Sequence, residues 1–342
     1  MGSNPTGATK IMNKMRNIEV PTGNILVVPG EYGDLECLSI GDYGKEVNLK
    51  SNVLGLTKIP NKVRHTKLLP LEEKWVITIS TQYGCSMGCT FCDVPKVGPG
   101  KNATLNDLLM QVEEAMNLHP EVEYSQRLNI HLARMGEPSW NPNVLDAAAV
   151  FKTRYDYYRN FNVHPVVSTM MPEQNRKLEQ FLFKWMKIKN EIYGGNAGLQ
   201  LSINSTNDDE RHHMFNGKAL TLEDISGIMC LMPKPIGRKI TLNFAIADYE
   251  IDPSKLLRLF DPKDYIIKLT PMHKTIAALD NGIKTVGDYT TYHPYEHHEK
   301  ALVDAGYDVL VFIASEEEDL GRITCGNAIL SGTMPLCEYN ER

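Results

Sequence analysis

The sequence predicts an α/β fold, a partial (β/α)6 TIM barrel preceded by a small β-rich N-terminal segment, and three observations predict it. From residue 75 onward, short apolar runs alternate with helix-periodic segments. Polar, glycine-bearing motifs recur where those apolar runs end. Before residue 75 the apolar runs are separated by turn sequences and not by helices.

Residues 1–74 read as hairpins, because N-I-L-V-V-P and E-C-L-S-I are broken by P-G-E-Y-G-D and G-D-Y-G-K. Strands are then expected at 75–80, 128–134, 164–170, 198–204, 239–246, 265–272 and 308–314, each too short for a helix. Helices are expected between them at 104–118, 142–158, 173–188, 221–232, 253–260 and 295–306. The first begins T-L-N-D, with Thr104 as its cap and Asp107 in its first turn. Repeated β-α units imply a parallel sheet with right-handed crossovers, here over residues 75–332, and 333–342 remain as a tail. Sites on such barrels lie at the carboxyl ends of the strands.

The 342 residues are 42% hydrophobic and 23% charged, ordinary values for a globular protein, and no apolar run reaches membrane-spanning length. The first residues lack the apolar stretch of a secretory signal. Seven cysteines, three of them clustered, suit a reducing cytoplasm better than a disulfide framework. The net charge of -6 argues against a protein that grips nucleic acid mainly through phosphates. Two local basic patches stand out, Arg64 to Lys67 and the pair Lys234/Arg238.

The chemistry begins at C-S-M-G-C-T-F-C, which sets Cys85, Cys89 and Cys92 directly after the first expected barrel strand. Three thiols are an incomplete set for a 4Fe-4S cubane, so one iron is left for a non-protein ligand. Gly84 and Gly88 let so short a loop bend around one face of a cluster. Zinc and a disulfide are the competing assignments. Structural zinc wants four closed ligands, and no second cysteine pair or histidine pair follows.

A C-x3-C-x2-C loop after a first strand resembles the radical S-adenosylmethionine (SAM) superfamily. The resemblance narrows to the class A methylases that act on carbon 2 or carbon 8 of a ribosomal RNA adenosine. It is carried by Ser80-Thr81-Gln82-Tyr83-Gly84-Cys85, Met135 to Pro138, Ser168-Thr169 to Pro172, Leu201 to Asn204 with Asn207-Asp208 and Arg211, Pro271-Met272-His273, and Thr324 to Asn327. It covers roughly residues 62 to 332. It implies a 4Fe-4S cluster on Cys85, Cys89 and Cys92, with SAM held by Gly136, Glu137, Ser168, Ser202, Asn204 and His273. A flavodoxin- or ferredoxin-type partner would supply electrons. Cys325 would be methylated by one SAM, and a radical from a second would abstract hydrogen from that methyl group before it joins the substrate carbon.

Two positions depart from the family. Where it carries a second catalytic cysteine, this chain has Thr78, whose hydroxyl can neither form a disulfide nor act as a thiolate. Where it carries a base-contacting glutamate, this chain has His65, a residue able to serve as a general base near neutral pH. Cys37, Cys230 and Cys337 are unassigned thiols, and the His-rich 292–298 leads into a helix. The expectation is a cytoplasmic radical SAM enzyme that methylates an unreactive carbon through Cys325, on a nucleic acid or a small molecule. The alternatives are a relative repurposed for another small-molecule or peptide substrate, and a cluster-bearing regulatory or binding protein.

Overall fold

The computed structural model describes residues 15–64, 67–285 and 287–336. His65 and Cys337 lie outside these.

Three antiparallel strands open the chain: β1 (Arg16–Val20), β2 (Gly23–Gly30) and β3 (Gly33–Ile40). A short helix, α1 (Lys45–Asn48), leads to the two-residue β4 (Leu49–Lys50). The barrel strand β5 (Trp75–Ile79) follows, and then a hairpin of β6 (Gln82–Gly84) and β7 (Pro99–Asn102) that brackets the cysteine loop. Thereafter helices and strands alternate. They run α2 (Leu105–Asn117), β8 (Ser125–Leu132), α3 (Asn143–Phe151), β9 (Phe161–Thr169), α4 (Leu178–Lys187) and β10 (Gly198–Ser202). They continue through α5 (Asp208–Met214), α6 (Leu222–Cys230), β11 (Ile240–Ile246), α7 (Pro253–Leu259) and β12 (Tyr265–Pro271). The last are α8 (Ile276–Asp280), α9 (Glu296–Asp304), β13 (Val309–Phe312) and α10 (Glu316–Leu320).

Among the described residues, one 11-stranded sheet holds every strand except the β6–β7 hairpin, in the order β1-β2-β3-β5-β8-β9-β10-β11-β12-β13-β4. From β5 to β13 every pairing is parallel, as the β-α alternation predicts. Each expected strand is present within a few residues of its predicted bounds, and Thr104 and Asp107 form a reciprocal capping box. β3 pairs antiparallel with β5, and β4 pairs antiparallel with β13. The N-terminal chain therefore lines both edges of the parallel sheet and bridges the opening between them.

Two helices differ from expectation. The helix expected at 142–158 changes to a π-helical turn over Lys152–Tyr157, a rare form that occurs mostly as a single-turn bulge within α-helices. The one expected at 173–188 starts only at Leu178. Pro172 pairs with Ala219, and the Asn175 side chain donates to the Ser139 carbonyl at 2.8 Å, so this stretch is held as a loop over the barrel rim.

Strand alternation separates two environments. Ile77, Ile130, Leu132, Val167, Leu199, Leu201, Leu242 and Ile267 face the helices and are fully buried in the main core. The opposite, inward face carries Thr78, His131, Ser168, Gln200, Ser202, Asn243, Lys268 and Thr270, all partly exposed. A polar lumen thus runs inside the sheet. No helix among the described residues is long and apolar enough to cross a membrane.

Candidate active site

The cysteine loop is shaped by its glycines and clamped by the end of α5 and the segment after it. Gly84 and Gly88 both have positive φ, and a Cβ on Gly84 would lie 2.1 Å from the Gly98 carbonyl oxygen. The Thr90 amide donates to the Met214 carbonyl at 3.0 Å, and Lys218 donates to the Ser86 carbonyl at 2.7 Å. Cys85 and Cys89 pack against an apolar shell that includes Met87, Met170, Met214 and Met272.

Burial raises all three thiols, Cys85 to about 11 and Cys89 well above its usual value. Negative charge on Cys92 and Cys85 raises Cys89 further, so the three sulfurs share one patch. Among the described residues, no three His, Cys, Asp or Glu side chains converge to hold a single metal ion. A bulky cluster fits this donor set better: its iron would neutralise three mutually repelling thiolates in an apolar setting, leaving one iron without a protein thiolate.

The groups expected around SAM flank this patch. Gly136 has φ 94°, and a Cβ there would meet the Gln82 side chain at 2.5 Å. Glu137 is buried, its Oε1 accepting from the Ser139 amide and its Oε2 from the Met170 amide, each at 3.0 Å. Burial raises its pKa despite those bonds, and its charge in turn raises the Cys85 and Cys89 thiols. A cationic ammonium beside Glu137 would offset that penalty. Ser168 and Ser202 point into the lumen from β9 and β10. Asn204 stands just past β10 at φ 61°, where its Oδ1 accepts from the Ala245 amide at 2.9 Å. These residues fit the acceptor-rich surroundings that SAM requires.

His273 is drawn into a different set of contacts. Its Nδ1 lies 3.2 Å from Asp319 Oδ1, and Asp319 also accepts from Tyr289 Oη at 2.7 Å and Thr324 Oγ1 at 2.9 Å. Burial opposes ionisation of Asp319, but His273 and these hydroxyls outweigh it and hold the carboxyl at about 2. His273 thus braces the segment that carries Cys325.

That segment, 321–329, is buried except for Cys325, whose side chain is exposed. Ile323 and Ile329 pack on the inward face of the N-terminal strands against Ile18, Val20, Ile25, Val27 and Leu38. A buried ion pair between Glu36 on β3 and Arg134 beyond β8 pins it further. Arg134 donates to the Arg322 carbonyl at 2.8 Å, and Glu36 accepts from the Leu330 amide at 3.2 Å. The Asp93 amide, one residue past Cys92, donates to the carbonyl of Gly326, one residue past Cys325, at 2.9 Å. Cys325 raises the Cys89 and Cys92 thiols, which places it within electrostatic range of the cysteine loop.

The other singled-out residues separate. Thr78 faces the lumen beside its register partner His131. Cys37 is buried against α2, its Sγ 3.6 Å from the Gln111 carbonyl, and Cys230 is exposed on α6, so neither reaches the site. His65 and Cys337 are not placed. The pair Lys234/Arg238 splits, Lys234 pairing with Asp264 outside while Arg238 lies within 3.2 Å of the Cβ position of inward-facing Gly198. Sequence reasoning missed Glu36 as an anchor, although a glutamate inside the apolar run E-C-L-S-I was a visible signal of a buried partner.

No protein-family profile matches the chain. The dual-specificity RNA methyltransferase RlmN of Dichelobacter nodosus is 34% identical over 93 residues, covering 26% of each chain. The RlmN of Sorangium cellulosum is 25% identical over 264 residues, covering 75% of this chain and 62% of its own. The first three curated relatives are matched over 26%, 39% and 58% of their length. In fold, a radical SAM methyltransferase from Sphaerobacter thermophilus superposes with a TM-score of 0.56 at 18% identity, over 89% of this chain and 76% of its own. In sequence the chain is similar to RlmN-type methyltransferases over part of their length, and it shares its fold with the Sphaerobacter thermophilus protein.

Proposed function

We propose that the protein is a radical SAM enzyme that methylates an unreactive carbon through S-methylated Cys325. The observation that carries this is the tether from the Asp93 amide to the Gly326 carbonyl, which holds an exposed Cys325 beside the cysteine loop in an otherwise buried segment. A bound cluster and SAM supply one electron and a 5'-deoxyadenosyl radical. Glu137 and Gly136 receive the ammonium of SAM, and Ser168, Ser202 and Asn204 supply polar contacts around it. The Met-rich shell gives Cys85 and Cys89 an apolar setting. Electrons come from a small reducing partner, and the enzyme acts in the cytoplasm.

The test uses the cluster-reconstituted protein with SAM and a reductant. 5'-Deoxyadenosine should form, and mass spectrometry should find a methyl group on Cys325. An enzyme that keeps full product formation as Cys325→Ala overturns the carrier role, and failure to form 5'-deoxyadenosine overturns the radical chemistry itself.

A further inference from the structure

The lumen below the rim is strongly basic in a chain of net charge -6. Arg127 is the third residue of β8, Arg238 precedes β11, and Lys268 lies on the inward face of β12, with His131 on the inward face of β8. Among the described residues, no carboxylate forms an ion pair with Arg127, Arg238 or Lys268; the nearby Asp42 is engaged by Lys74. The cations feel one another. Burial and then the charges of Lys268, Arg238, Lys74 and Arg127 hold His131 down at about 3. Burial, with Arg127, lowers Arg238 to about 10. Burial, with Arg238 and Lys74, lowers Lys268 to about 8; burial raises the Cys325 thiol, and the charge of Lys268 offsets part of that rise. Clustered cations of this kind are costly without an anion between them.

Strand geometry sets the scale. At ~3.3 Å per residue, the bases of β8 and β11 lie roughly 20 Å below the rim that holds the cysteine loop. That depth is too great for Arg127 and Arg238 to serve the cluster, while Lys268, in the middle of β12, lies nearer the rim, so the three suit a molecule extended from floor to rim. A polyanion would meet a net-acidic exterior, whereas a small anion that enters meets cations on several strands.

We infer that the lumen of the barrel, with Arg127, Arg238 and Lys268 as its anchors, binds a small substrate through a phosphate or carboxylate group and presents its other end to Cys325. This rests on the proposed role of Cys325 as the reacting group, but its test does not use the radical reaction.

The test compares alkylation of Cys325 by anionic iodoacetate and neutral iodoacetamide, read by peptide mass spectrometry on full-length, cluster-loaded protein with Cys325 as a free thiol. The ratio of the two rates cancels differences in thiolate fraction, and exposed Cys230 is the internal control. The iodoacetate-to-iodoacetamide ratio at Cys325 should exceed that at Cys230 about tenfold, in the range of electrostatic focusing by a charged cleft, and should collapse in high salt. It should fall to the Cys230 value in Arg238→Gln/Lys268→Met. Inorganic phosphate and acetate, added separately, should each be scored for protection of Cys325; protection by one assigns the anion class. Equal ratios at Cys325 and Cys230 in the unaltered protein overturn the inference without recourse to any variant. So does an RNA oligonucleotide that protects Cys325 better than phosphate at matched phosphate concentration.

Discussion

The parallel strands and the antiparallel N-terminal strands share one sheet but do different work. β5 and β8 to β13 bury one face under helices and turn a polar face inward, and their rim holds the cysteine loop and the acceptors around it. β1 to β3 turn an apolar face inward, and it is covered by the segment around Cys325. One half builds the proposed radical source. The other is a seat for the proposed methyl carrier, so the two functions rest on separable packing and should fail separately.

The largest expected effect is on the first half. Cys85→Ala should abolish 5'-deoxyadenosine formation and cluster absorbance while leaving the Cys325 seat intact, as judged by unchanged proteolysis of the C-terminal segment. Breaking the second half should do the reverse. Glu36→Ala strands Arg134 in a buried site, a loss of about 3–5 kcal/mol in unfolding free energy. The charge-neutral pair Glu36→Gln/Arg134→Met should recover much of that stability. In both, Cys325 methylation should drop at least tenfold while 5'-deoxyadenosine still forms; parallel loss of both products would show that the halves are not separable.

A smaller effect is expected at Asp319, which joins His273 to Thr324. Asp319→Asn weakens charge-assisted contacts and should cost about 1.5–3 kcal/mol, read by denaturant unfolding. The smallest concerns α10. Burial raises Glu318 from 4.5 to about 7, against hydrogen bonds from Ser315 that favour ionisation. The folded state then binds more protons than the unfolded state between these values, so stability should fall as pH rises from about 4.5 to about 7. Glu318→Gln should flatten that slope in thermal melts, and an unchanged slope would assign it to another group.

The contrast also explains what the sequence made legible. The parallel strands were readable because short apolar runs and their polar rim motifs are local signals, as at W-V-I-T-I-S before the cysteines. Gly84, Gly136 and Glu137 stood out in their motifs because each motif is a local signal, and each makes close local contacts. The seat of Cys325 was not readable, since Glu36 and Arg134 meet across 98 residues and Ile18 meets Ile323 only when the sheet is complete. His273 was expected at the cofactor and lies against Asp319, a partner that no spacing near it announces. Arg238 looked like half of a surface patch, because strand register alone decides which side chains turn inward.

The most direct test of the account follows one methyl group. Protein methylated on Cys325 from SAM with a trideuterated methyl group is reduced in the presence of unlabelled SAM, and the 5'-deoxyadenosine is weighed. If Cys325 carries the methyl group to the radical, one deuterium is transferred and the 5'-deoxyadenosine gains one mass unit. Unlabelled 5'-deoxyadenosine from fully methylated protein would contradict the account.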